Sequence, residues 1–213
     1  MIRIKDRHEP EFWKQYRKAH PKDRYDDLEK TEEGINVRSM LRQTLVESQY
    51  ALCAYCCRRI NAANAINEHI KPRNTWPDAK YSMDFENLIA SCRTEDTCGS
   101  SKKSSYDERR FVSPLQEDCL RHFRFLMNGE IEGTTDAGKY TVQLLNLNSY
   151  QLRKARAATM RACMSYQNPE LIKEIYLSPN AEGKLEAYSD IVLWFFDEGY
   201  FSEQGSGTRQ VSK

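Results

Sequence analysis

"CAYCCRRINAANAINEHIKP", residues 53–72, is the stretch on which the reading of this chain turns. It opens with Cys53 and Cys56 two residues apart and closes on adjacent Glu68 and His69. Thiolates suit a soft structural metal, whereas a carboxylate beside an imidazole suits a hard cation at a reacting centre. Twenty residues thus carry donors for two kinds of chemistry.

The thiol half is completed downstream. Cys92 and Cys98 form a second hook with a wider gap. Four thiolates from two hooks make a tetrahedral zinc site with no open position for catalysis. The segment between the hooks is polar and buries little by itself. Metal binding would supply the missing folding free energy, on the order of 10 kcal/mol in small zinc modules. Cys57 offers a second spacing, C-x3-C, although the usual two-residue hook favours Cys56. The plainer reading of all four is ordinary buried cysteine. Cys119 and Cys163 stand alone and read as small core residues.

The bulk numbers bound the rest. The chain has 213 residues, 39% hydrophobic and 30% charged, enough for one medium domain. No apolar run approaches the roughly 20 residues of a membrane helix, and the first residues, "MIRIKDRHEP", lack an apolar signal core, so a cytoplasmic protein is expected. A net charge of +1 neither supports nor excludes nucleic acid, because a local patch suffices. Seven cysteines is an odd number, and paired short spacings in a reducing compartment more often mean metal than disulfides.

Outward from the quoted stretch, four regions are expected. Residues 1–50 read as helices, with a solvated, charged stretch over 5–30 and a helix through Val37, Met40, Leu41, Leu45 and Val46 capped by Asn36. Residues 51–112 are the irregular centre, with short strands at "AINEHI" and "NLIAS". Residues 113–201 begin with a hairpin marked by Phe123, Phe125 and Asn128-Gly129 and continue as successive helices. Within them "DIVLWFFDEGYF" reads as the helix that covers the core, or as a docking surface. Residues 202–213 read as a disordered Gly/Ser-rich tail. The expected class is helix-rich α+β.

The set "CAYCCRRI…INEHIKP…FENLIASC…C…K" resembles the HNH nuclease family in its cysteine-bearing form, the ββα-metal finger. Glu68-His69-Ile70-Lys71-Pro72 matches its D/E-H-I-x-P strand end, Asn87-Leu88 its second segment, and Cys92, Cys98 and Lys102 the opening of its helix. A wider likeness, over much of residues 50–160, is to the PtuB-like HNH proteins of Septu-type anti-phage systems, which act beside an ATPase. The resemblance implies a zinc-stabilised finger flanked by helices and an endonuclease hydrolysing nucleic acid, DNA before RNA. It also implies structural Zn²⁺, a catalytic Mg²⁺ or Mn²⁺, and an ATPase protein partner.

The chemistry gives each residue a task. Phosphodiester hydrolysis needs a base for water and neutralisation of the phosphate. His69 is the expected general base. Glu68, on the opposite face of an extended strand, is the expected ligand of the divalent cation. By the resemblance, Asn87 braces the loop that presents the base; its plainer reading is a turn residue that starts a strand. One departure stands out: where many family members carry a metal-binding His or Asn after the last cysteine, this chain has Gly99-Ser100, leaving Ser100 as a further donor. A module with a decayed active site, binding nucleic acid or acting as an adaptor, is the alternative. Phosphate contacts are expected from Lys102, Lys103, Arg153 and Arg156.

Overall fold

The computed structural model describes residues 1–5, 7–73, 79–166 and 168–201. The expected tail, 202–213, lies outside them.

The N-terminal region is more buried than its charge suggests. Helix α1 (Glu11–Ala19) sinks Trp13 and Tyr16 into the core, and a 3-10 turn at Tyr25–Glu29 sinks Tyr25 and Leu28. Four apolar anchors are enough to seat a stretch that the sequence paints as solvated. Helix α2 (Glu32–Ser48) buries Val37, Leu41 and Leu45, spaced four residues apart on one face. Its cap is Thr31, whose hydroxyl accepts from the Gly34 N–H at 3.0 Å, not Asn36. Gly34 is required there: a Cβ would lie 2.4 Å from the Leu28 carbonyl oxygen.

The two strands expected in the centre form and pair. Strand β1 (Ala65–His69) runs antiparallel to β2 (Leu88–Cys92), with Glu68 opposite Ile89 and His69 opposite Leu88. The short helix α3 (Cys98–Lys102) follows and packs on β2. The chain order is thus β-β-α, with α2 against both strands. The Asn67 side chain donates to the Arg38 carbonyl at 3.0 Å and ties β1 to α2.

The second hairpin joins β3 (Phe123–Phe125) to β4 (Ile131–Gly133), with Gly129 at φ +84° in the turn. Helices α4 (Asp136–Leu144), α5 (Tyr150–Ser165), α6 (Pro169–Leu177) and α7 (Ser189–Asp197) complete the chain. Ile191, Val192 and Phe195 of α7 are fully buried, so this helix closes the core. One hydrophobic cluster runs from Trp13 through Leu88 to Phe195, so the terminal regions and the centre share a core.

Candidate metal centre and active cleft

The four sulfur atoms of Cys53, Cys56, Cys92 and Cys98 lie within 4.8 Å of one another, all buried. Cys53 and Cys98 are 3.9 Å apart and Cys56 and Cys92 4.0 Å. A zinc tetrahedron with Zn–S bonds of ~2.3 Å has edges of ~3.8 Å, so the donor set fits that ion. The Cys92 N–H points at the Cys53 sulfur at 3.3 Å, the kind of backbone support a thiolate uses. The cluster takes in Cys56 and leaves out Cys57. Cys57 takes a left-handed conformation, φ 54°, and packs with Leu52 and Leu185, where burial pushes its thiol up.

Glu68 and His69 both line a cleft of about 340 Å³ beside α3. Strand alternation alone would put them on opposite faces, but His69 is the last strand residue and the chain turns there. His69 is 6% exposed. Its Nε2 lies 2.9 Å from the Ser82 carbonyl oxygen and so carries the ring proton and donates, leaving Nδ1 with the lone pair. The Tyr25 ring stands edge-on to the imidazole with centroids 4.7 Å apart. Burial lowers the His69 pKa to about 4, with Arg73, Lys102 and Arg38 acting in the same direction and the Ser82 contact against it. The ring is therefore neutral at cellular pH.

Asn87 sits where the two strand ends meet. Its Oδ1 accepts from the Lys71 N–H at 2.7 Å, and its Nδ2 donates to the carbonyls of Lys71 and Tyr81, each at 3.0 Å. One amide thereby ties the Lys71 segment just after His69 to the Tyr81–Ser82 segment that meets the imidazole.

Glu68 does not stand free. Its Oε1 is 3.0 Å from the Lys102 ammonium and accepts from the Tyr55 hydroxyl at 3.4 Å. Burial pushes its carboxyl up, while Lys102 opposes that shift. Its other oxygen faces Gly99, where a Cβ would come within 2.7 Å. Nothing brings the Ser100 side chain to it. Among the described residues, the four cysteines are the only grouping of three or more metal-binding side chains. Glu68 thus offers one hard oxygen, fewer than a cation caged by protein alone would need.

Two of the four side chains expected to contact phosphate are buried and already engaged. Lys102 is 1% exposed and donates to the carbonyls of His69 and Ile70 at 2.9 and 3.2 Å. Arg156 is 2% exposed. It binds the carbonyls of Gly129 and Leu147 and the Asn148 side chain, fastening the second hairpin to α5. Both basic groups serve the fold because backbone carbonyls capture them. Lys103 is exposed beside the cleft, and Arg153 pairs with Glu130 at 2.8 Å on α5. Tyr25, Arg38 and Arg73 all lie near His69 yet outside the motif, and no local spacing marks them.

A β-β-α succession bears a four-thiol cluster that could hold a metal ion, with an imidazole in a cleft beside it. No family model matches the chain. Over 134 residues it is 29% identical to "Retron Vc95 putative HNH endonuclease" of Vibrio cholerae serotype O1 biovar El Tor. The match covers 56% of this chain and 63% of that protein, so the chain spans less than two thirds of its relative's length. No helix among the described residues is long and apolar enough to cross a membrane.

Proposed function

We propose that this protein is an HNH-type endonuclease hydrolysing phosphodiester bonds of nucleic acid, with DNA as the first substrate to examine. The observation that carries the reading is His69: a buried, neutral imidazole with its proton fixed on Nε2 by Ser82, lining an open cleft. The similarity to a protein named as an HNH endonuclease supports the same reaction class.

The chain's own groups divide the work. Water attacks phosphorus as its proton passes to Nδ1 of His69, and the phosphorus–oxygen bond to the leaving group breaks, the departing oxygen taking a proton from solvent. The Ser82 carbonyl then stabilises the imidazolium through its Nε2–H. Asn87 ties the segment just after His69 to the one that meets its ring, and Lys102 holds the carbonyls of His69 and Ile70, so the base is fixed before substrate arrives. Glu68 would hold a Mg²⁺ or Mn²⁺ ion in competition with Lys102, and such an ion would neutralise charge on the phosphate. The four cysteines would hold zinc as a structural ion. A role in anti-phage defence and an ATPase partner follow from the family resemblance and, with a cytoplasmic location, extend the proposal.

A second reading is favoured by Gly99 and by the ammonium on Glu68: a zinc-stabilised module that binds nucleic acid without cutting it. Incubating the purified protein with plasmid and with cellular RNA, in Mg²⁺, Mn²⁺ and EDTA, separates the two. Cleavage that requires the divalent cation supports the nuclease. Binding without cleavage, with its ATPase partner also present, supports the module.

A further inference from the structure

The cleft around His69 is strongly unbalanced in charge. Arg38, Arg73, Lys102 and Lys103 line it, against one carboxylate, Glu68, among the described residues. Lys102 is consumed by Glu68 and by two backbone carbonyls. The two arginines are held differently. Arg38 comes from α2 and Arg73 from the loop after β1, yet both guanidinium carbons lie over the same Tyr25 ring, 5.4 and 5.5 Å from its centroid. That ring is the one set edge-on to His69. Tyr25 is therefore a platform that brings two guanidinium groups and the imidazole to one place.

Among the described residues each arginine has one acidic partner, and both partners come from the turn that carries Tyr25. Arg38 pairs with Glu29 and Arg73 with Asp26. The two carboxylates are 60% and 64% exposed. Ion pairs of such exposure are worth little, and a guanidinium exchanges one readily for a phosphate that it can grip with two hydrogen bonds. The arginines themselves are 30% and 39% exposed, within reach of the cleft but kept from swinging away by the aromatic ring beneath them.

We infer that Arg38 and Arg73 form a phosphate clamp, stacked on Tyr25, that holds a nucleic-acid phosphodiester in the His69 cleft, with Glu29 and Asp26 as the partners released when substrate binds. This rests on the nuclease reading for the identity of the phosphate. It places the binding charge on residues outside the HNH-like motif, where the exposed basic groups are.

Binding of a fluorescent duplex DNA and of an RNA of the same sequence, measured against salt without divalent cation, tests the clamp apart from cleavage. Arg38→Gln and Arg73→Gln should each weaken binding about tenfold and reduce the salt slope by about one. Asp26→Asn and Glu29→Gln should leave binding equal or tighter. Arg124→Gln removes an exposed guanidinium paired with Glu132 elsewhere, and should change neither quantity. Thermal unfolding of each variant confirms that affinity is read on folded protein. Wild-type affinity and slope in both arginine variants would overturn the clamp while leaving the nuclease reading standing. Absence of binding by the wild-type protein to either probe would overturn both.

Discussion

The ammonium of Lys102 lies 3.0 Å from the carboxylate of Glu68, the lysine buried and the glutamate partly buried beside the cleft. The same ammonium donates to the carbonyls of His69 and Ile70, so one side chain closes three acceptors at the end of β1. A lysine in this position is an internal cation and a strut at once.

Removing the strut should be costly. Lys102→Met leaves the partly buried Glu68 carboxylate without its partner, a loss of about 3–5 kcal/mol for pairs of this kind. Glu68→Gln, which keeps a polar group for Lys102 and Tyr55, should cost less. Denaturant titrations of the two variants and their combination measure the coupling. Additive losses would show that the two side chains do not stabilise each other.

The cysteine cluster gives a chemical test. Elemental analysis of protein purified without chelator should find about one zinc per chain. Cys53→Ser should lower both the zinc content and the melting temperature, because metal binding and folding of such modules are coupled. Cys57→Ser should keep the zinc, since its sulfur lies outside the cluster. Zinc-free wild-type protein with an unchanged fold would rule out the structural metal.

Chelation should separate the two kinds of donor. A cation held by one carboxylate and substrate phosphates exchanges easily, whereas four thiolates hold zinc tightly. Mild EDTA should stop cleavage at constant melting temperature, and added Mg²⁺ or Mn²⁺ should restore it. Full cleavage after removal of divalent cations would refute metal assistance.

The local parts of this fold were legible because their signals are local. The C-x2-C hook, the strands at 65–69 and 88–92, and the turn at Asn128-Gly129 depend on spacing and turn chemistry within a few residues. The long-range parts were not. Tyr25 sits in a run of charge, and only the packing of its turn against α2 shows that it is buried beneath His69. Lys102 and Arg156 look like phosphate contacts because basic side chains usually face water. Their capture by backbone carbonyls is a tertiary event that composition does not announce. Asn87 was read by resemblance; its hydrogen bonds to Lys71 and Tyr81 come from the structure.

The lowered pKa of His69 sets a pH dependence. The group titrates near about 4 when folded and near 6.5 ordinarily, so the unfolded chain binds the proton more readily. Burying it neutral costs nothing above pH 6.5 and destabilises the fold progressively as pH falls from there toward about 4, by on the order of 3 kcal/mol in full. Melting temperature should therefore fall across that window, and His69→Gln should flatten the fall. An equal slope in the variant would assign the effect to other groups.

The central claim is that His69 acts on substrate rather than only on the fold, and its most direct test is the cleavage rate per folded molecule. Because the ring is buried and bonded to Ser82, His69→Ala will also lower stability, so the rate must be normalised to the folded fraction at the assay temperature. The measurement is single-turnover cleavage by wild type and His69→Ala, with melting temperature and nucleic-acid affinity taken on the same preparations. The account predicts a fall of about 10²- to 10⁴-fold in rate per folded molecule with affinity retained. A variant that cleaves at the wild-type rate once its folded fraction is accounted for would contradict it.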